Sequence, residues 1–572
     1  MTWARHHAAP LAGASVGIFA LVVPLAVTRF THSPFRLSED LEIALKLALC
    51  LLATLVVGID AWQGRRDGSR PVGFWLAAVA SLGAAAYLNF GFLHGDGFVH
   101  HWEQFHYYLG SKYFPELGYD GLYVASIGAE ADAYPDGVVS EHTRDLRTYQ
   151  VEPVTSLFPH MREVWQRFEP DRWDAFIEDN RYFVDAGARS YLWAWRSDHG
   201  YNGSPSWTFV ARLFGAWLPA SEGALVGLGL LDLALLAGTF TLVFRTFGAR
   251  VGCWSLVLLG FGYAGRFHWT GGAFLRHDWL AAVVIGVCML QRARYRSAGA
   301  LLGYAAMARV FPILFFAGPA ILAVRALVRN ERRCWIRPLV AGAAAAILLG
   351  LLAGASTGRG FGAWLEFSRT IQMHSSEWLT NNVGLEIPFL YDRDILERRH
   401  VVWTAPEPWI HVQSLVGQNR EERRPWILAS RLLFLAIWTL SIWRARLPEA
   451  ALAGMAACFA LTTPTSYYWI MLVALPLLRR ADLVCGALAL NLVAHAVHLL
   501  HPAFEMRFGI YSVGLALLHL AWLLPNAVEI AGVLLGRSST SPALIGGDAL
   551  ESEAATRASC LFADGRPGPH AG

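Results

Sequence analysis

The sequence predicts an all-α polytopic membrane protein, a bundle of about 12–14 transmembrane helices with two long external loops. Three observations carry this. Only 16% of the 572 residues are charged and the mean hydropathy is +0.37, which excludes a soluble multidomain chain and a disordered one. Apolar runs long enough to cross about 30 Å of hydrocarbon recur along the whole chain. The basic residues gather in short connections between those runs instead of forming a nucleic-acid-binding surface, and the net charge is only +3.

In chain order, runs at 12–29, 41–62 and 72–93 make an N-terminal unit, residues 1–93. The basic start and apolar core of the first run resemble a signal peptide. No small-residue cleavage site follows, so it reads as an uncleaved helix. The turn GRRDGSRP between the second and third runs is rich in arginine, so the positive-inside rule puts the N-terminus in the cytoplasm and residues 94–221 outside. That first loop carries Trp, Tyr, Asp and Glu with scattered prolines and predicts short amphipathic helices on the membrane face.

Residues 222–356 hold central spans at 222–245, 250–267, 276–292 and 338–356. The stretch 298–327 lies between two basic loops and is broken by ARVFP, where Pro312 removes a backbone donor. It predicts a hairpin of two short helices with Arg309 at its external tip, permitted only where protein or a water-filled cavity shields the freed backbone. A second external loop, 357–425, leads to C-terminal spans within 426–536, including a second hairpin at 449–478 broken by TTPTSYY. The small, polar, Gly/Pro-rich residues 537–572 predict a disordered cytoplasmic tail. None of the seven cysteines falls in the long loops, so no disulfide framework is expected there.

The chemistry concentrates at 94–123, HGDGFVHHWEQFHYYLGSKYFPELGYDGLY. An ionisable cluster at the mouth of a membrane bundle costs desolvation that packing alone does not require. Glu103 is the expected catalytic base, with His106 and Tyr107 on its helical face at i+3 and i+4, and Asp96 nearby as a substrate-binding group. The spacing His100-x-x-Glu103-x-x-His106 matches no zinc motif, so no metal ligand is assigned and no cofactor is called for, a divalent cation being left open. In GRFHWTGGAFLRHDWL, Arg276 and His277 suit an anionic headgroup, although Arg276 could equally pair with Asp278. Arg309, in the middle of an apolar run, needs a buried anion or cavity water. Asn381 and Asn382 offer donors to sugar hydroxyls, or a turn. Tyr468 and Trp469 stand at the second hairpin tip, where aromatic residues stack on sugars or anchor the interface.

These stretches together resemble the GT-C superfold glycosyltransferases, particularly the bacterial polyprenyl-phosphate-mannose-dependent alpha-mannosyltransferase branch. The acidic residue opening the first external loop, a tyrosine four later and an LY-type ending correspond to Glu103, Tyr107 and GYDGLY. The helix entry with proline corresponds to Ser204-Pro205-Ser206-Trp207, the Gly-Gln-Asn turn loosely to Gly271 and Gly272, and the helix pair to AGALLGYAAMARVFPILFF, with Arg309 at the family's lysine. The Asn-x-Ser segment resembles Asn381-Asn382-Val383-Gly384, and the S-P-x-S-W stretch resembles TTPTSYYW. Glu replaces the usual Asp, and two spans precede the motif-bearing unit.

The resemblance implies an inner-membrane enzyme with an external active site. It would transfer a sugar, mannose in the first instance, from a polyprenyl phosphate to a lipid or glycan acceptor, with Arg309, Arg276 and His277 on the donor phosphate. The other readings are a transporter or flippase of a lipid-linked saccharide, and an inactive relative. Transporters place charges at the bilayer midplane within repeated halves. Here the polar groups gather at one face.

Overall fold

The computed structural model describes residues 2–31, 37–67, 72–95, 97–134, 136, 140–187 and 192–534. Asp96 and the expected tail at 537–572 lie outside the described residues. Eight described helices are long and apolar enough to span a membrane, so the chain is a helical multi-pass membrane protein. They lie within α1 (Thr2–Thr31), α2 (Glu39–Asp67), α4 (Glu222–Phe247), α8 (Ala317–Val328, with the preceding 3-10 turns from Phe311), α9 (Ile336–Ala355), α10 (Arg424–Ile442), α12 (Ala481–Leu499) and α13 (Phe504–Leu534).

Shorter apolar segments complete the bundle: α3 (Phe74–Tyr87), α5 (Ala249–Phe261), α6 (Asp278–Gln291), α11 (Leu447–Leu461) and a 3-10 run Ser466–Leu478. At 1.5 Å per residue, a 14-residue helix such as α3 is about 21 Å long, less than the hydrocarbon thickness of about 30 Å. The short segments sit inside, with most of their residues buried, while the long helices present Leu230, Leu348, Leu349, Leu433, Leu517 and Val528 outward. The run expected at 72–93 is helical only to Tyr87, because Asn89, Phe90 and Leu93 take left-handed backbone conformations, and Asn89 Nδ2 donates to the Leu93 carbonyl at 2.8 Å.

Small residues set the helix contacts. α7 (Tyr295–Ala308) crosses α9 so closely that a Cβ on Gly299 would lie 1.9 Å from the Leu339 carbonyl, and one on Gly342 2.0 Å from that of Arg296. Between membrane helices such close backbone approach is a main source of association. Gly299→Val is therefore expected to lower stability by about 1–3 kcal/mol through overpacking, read as a lower Tm in detergent, with Gly299→Ala intermediate.

The helical hairpins break where the prolines and polar tips stand. α7 ends at Ala308, Arg309 is extended (φ −139°, ψ 131°), and 3-10 turns Phe311–Phe316 lead into α8. α11 ends at Leu461, and residues 462–465 lead into the 3-10 run. The first loop holds helices Phe158–Trp165, Pro170–Ala186 and Pro205–Gly215, and also a two-stranded antiparallel sheet. There β1 (His142–Arg144) pairs with β2 (Val151–Pro153), His142 opposite Pro153. Asp145 Oδ1 accepts from the Arg147 N–H at 2.9 Å within the turn.

Candidate functional site

The segment His100–Gln104 is held on the Gly271-Gly272 turn. The His100 N–H and Gln104 Nε2 both donate to the Gly272 carbonyl, at 3.2 and 2.9 Å. Gly272 has φ +67°, and a Cβ there would lie 1.8 Å from the Phe98 carbonyl, so this approach requires glycine. His100 Nδ1 accepts from the Glu103 N–H at 3.2 Å and fixes the entry to the helical turn. Leu275, also left-handed at φ +48°, turns the chain so that Arg276 faces Glu103. The result is an ion pair, Arg276 Nη1 to Glu103 Oε2 at 2.9 Å, with the two side chains 4% and 15% exposed.

Arg276 also lies over the ring of Tyr467 at 4.2 Å and near that of Tyr468 at 5.7 Å. Burial opposes its charge, but Glu103 and the tyrosines hold the guanidinium well above its ordinary value. Its Nη2 is buried without a hydrogen-bond partner among the described residues. Arg309 lies across the rings of Trp207 and Tyr107 at 5.3 and 5.8 Å. Among the described residues its guanidinium makes one hydrogen bond, to the neighbouring Ala308 carbonyl at 3.2 Å, and its Nε is buried without a partner. No carboxylate among the described residues forms an ion pair with it. Asp278 lies near enough to act on its charge but not to pair with it, and a buried cation without an ion-pair partner is costly, a cost that an anion would relieve.

Two pairs of distant stretches lock together to build these walls. Ser204 Oγ caps the helix at Pro205–Gly215 by accepting from the Trp207 N–H at 3.1 Å, and donates to the Met307 carbonyl at 2.6 Å. This sets Trp207 beside Arg309. The second loop pairs onto residues 462–466: Val383 N–H donates to Pro464, Ser466 N–H to the Asn381 carbonyl, and Asn382 Nδ2 to Thr463 at 2.7 Å. That pairing delivers Tyr467 and Tyr468 onto Arg276. Tyr468 also contacts Trp279 and Phe311, at ring distances of 5.7 and 5.0 Å.

The structure thus brings Glu103, Tyr107, Arg276, Arg309 and Tyr468 together. Burial, then Glu103, push the Tyr107 hydroxyl well above its usual pKa, so it stays a donor, to Asn202 Oδ1 at 2.6 Å. Other expected site residues point elsewhere. His106 turns inward, bonding Tyr123 and the carbonyls of Trp102 and Trp195. The cause is a π turn over Phe105–Leu109, whose wider winding keeps i+4 near alignment with Glu103 and swings i+3 away. His277 is buried against Asp232 of α4, with Nδ1 to Oδ2 at 2.5 Å and its N–H to Oδ1 at 2.7 Å, so it does not join the arginines. Asn382 serves the loop pairing. Asn381 contributes its carbonyl to that pairing, and its side chain is half-buried. Trp469 packs in the core against Phe459 and His519. Asn202 and Tyr304, whose hydroxyl donates to Asp278 Oδ2 at 2.7 Å, were not expected; Asn202 sits just before the Ser204–Trp207 motif, and Tyr304 within AGALLGYAAMARVFPILFF.

No group of three or more His, Cys, Asp or Glu side chains among the described residues is placed to hold a metal ion. The rings of His94 and His100 pack edge to face at 5.1 Å. Burial first, then His94, His268 and Arg276, hold His100 neutral well below the usual histidine range. An unfolded histidine takes up a proton near pH 6.5, about its unperturbed value, whereas the folded His100 does not. Stability is therefore present above that pH and lost as pH falls below it. The Tm in detergent is expected to drop between pH 7.5 and pH 5.5, and His100→Asn to make the drop smaller.

Compared with protein-family models, with curated proteins and with solved structures, the chain has no match in any of the three.

Proposed function

We propose that the protein is a GT-C-type membrane glycosyltransferase that transfers a sugar, mannose in the first instance, from a polyprenyl phosphate to a lipid or glycan acceptor at the external face. The observation that carries this is a carboxylate, Glu103, ion-paired at 2.9 Å to Arg276, in one cluster with a second buried arginine, Arg309, that forms no ion pair with a carboxylate among the described residues. A base next to excess cationic charge suits a reaction in which an oxygen loses a proton and a phosphate departs.

In this reading the acceptor hydroxyl attacks the anomeric carbon while Glu103 takes its proton. The bond from that carbon to the phosphate oxygen breaks with its electron pair going to the phosphate, and the anomeric configuration inverts. Arg309 and Arg276 stabilise the departing phosphate, which needs charge more than a proton. A phosphate that draws Arg276 toward it frees an oxygen of Glu103 to act as base. Tyr107, Trp207, Tyr467 and Tyr468 supply aromatic faces for the sugars. The location also fits a lipid-borne substrate, because these groups stand where short central segments end, at Asp278, Ala308, Leu461 and Ser466.

One observation favours a lipid-linked-saccharide flippase as a second reading. Lys46, fully buried in α2, pairs with Glu42 at 2.7 Å, and buried charges in spans mark translocation paths. Purified protein in lipid vesicles, given polyprenyl-phosphate [3H]mannose and total lipid and glycan extract, separates the two. Label appearing in a new glycoconjugate supports transfer. Label that only crosses the bilayer, with no new product from any polyprenyl-linked sugar tried, rejects the transferase and supports the flippase.

A further inference from the structure

The seam between the two external loops holds a pair of histidines that the proposed transfer does not use. His199, in the first loop, and His374, near the C-terminal end of helix Gly362–Ser376 in the second, face each other with ring centres 5.5 Å apart and planes at 74°. His199 Nε2 and His374 Nδ1 are both buried, and neither has a hydrogen-bond partner among the described residues. Two orphaned ring nitrogens at one contact are unusual, since buried polar atoms are nearly always satisfied.

The far side of His199 is organised. Its Nδ1 lies 3.2 Å from Asp198 Oδ1, and Asp198 Oδ2 accepts from Trp102 Nε1 at 2.9 Å. A carboxylate at Nδ1 holds the proton there and leaves Nε2 as a lone pair, the arrangement that orients metal-binding histidines. Imidazoles bound at about 2.0–2.1 Å to one tetrahedral ion bring their ring centres to about 5 Å, close to the spacing seen.

We propose that His199 Nε2 and His374 Nδ1 form a binding site for a first-row divalent cation of the zinc class, bridging the two external loops. Imidazole ligands select such ions over Mg2+ or Ca2+, which prefer oxygen. Two protein ligands leave the remaining positions to water or to a substrate oxygen. The ion would reinforce a seam also joined by the Arg144–Glu407 pair at 3.1 Å and by Arg359 Nη1 donating to the Pro115 carbonyl at 3.0 Å. Through Asp198 and Trp102 it would also support the residue next to Glu103. The site stands whether or not the protein transfers sugars.

The test uses full-length protein purified in detergent without a polyhistidine tag, stripped with chelator, incubated with ZnCl2 or MgCl2, and desalted. Elemental mass spectrometry should find about one zinc per chain, none in His199→Gln or His374→Gln, and no retained magnesium. Asp198→Asn keeps both imidazoles and should weaken zinc by about 10–100-fold, read by competition with a chromophoric chelator. Zinc held equally by wild type and both histidine variants, or held by none, overturns the proposal. Where a variant is lost in purification, the wild type decides alone. Its Cu2+ adduct should show electron-paramagnetic coupling to two imidazole nitrogens, and a spectrum without nitrogen coupling rejects the site.

Discussion

Glu103→Gln is expected to lower sugar transfer by about 10²–10⁴-fold, the usual contribution of a positioned base, with no matching loss of folded protein. Glutamine keeps an acceptor oxygen toward Arg276, so the contact now at 2.9 Å can persist while the proton acceptor is lost. Binding of the donor should survive, because the phosphate is assigned to the arginines, so the effect should fall on kcat and leave KM little changed. Transfer within a few-fold of wild type, at equal Tm, would remove Glu103 from the chemistry and the proposed mechanism with it.

Arg309→Met should act in opposite directions on activity and stability. Arg309 stacks on Tyr107 and Trp207 but has no ion-pair partner among the described residues, so its desolvation is offset only by ring contacts and by the more distant Asp278. Methionine fills similar apolar space, and the Tm is expected to equal or exceed that of wild type. Loss of a cation aimed at the leaving phosphate should nevertheless lower kcat by about 10²–10³-fold, the cost of removing one preorganised electrostatic contact. A structural arginine would give the reverse pattern, with stability falling and any activity tracking the amount of folded protein. Thermal unfolding and donor-dependent kinetics on one preparation distinguish them.

Much of the bundle was legible because spans declare themselves by length and composition. The hairpin break was legible too, since Arg309 and Pro312 interrupt an apolar run that has no other reason to stop. Convergence of Glu103, Arg276, Arg309 and Tyr468 could be anticipated for a related reason: each is a polar or aromatic group standing where apolar segments end. What was not legible depended on local geometry or on distant partners. The face shared by Glu103 and His106 assumed α-helical winding, and a π turn is not written in any residue pattern there. His277 was read with its neighbour Arg276, whereas its position is set by Asp232, a lone carboxylate within the apolar run of α4 that could have signalled a buried partner. Tyr468 and Trp469 are adjacent in sequence, yet on a 3-10 run they face Arg276 and the core respectively. The strands β1 and β2 are three residues each, too short for alternation to register.

The short central segments also bear on voltage. Protein that is thinner than the surrounding bilayer concentrates the transmembrane field across its remaining thickness, and a charge entering from the open side traverses part of that field. The full field is worth about 2.3 kcal/mol per elementary charge per 100 mV. With the arginines toward the outer face, as proposed, and the cytoplasm negative, an anionic headgroup descending toward Arg309 moves against the potential. On the proposed reading, an energised membrane thus weakens binding of that headgroup by a fraction of that figure, and the two buried arginines offset it.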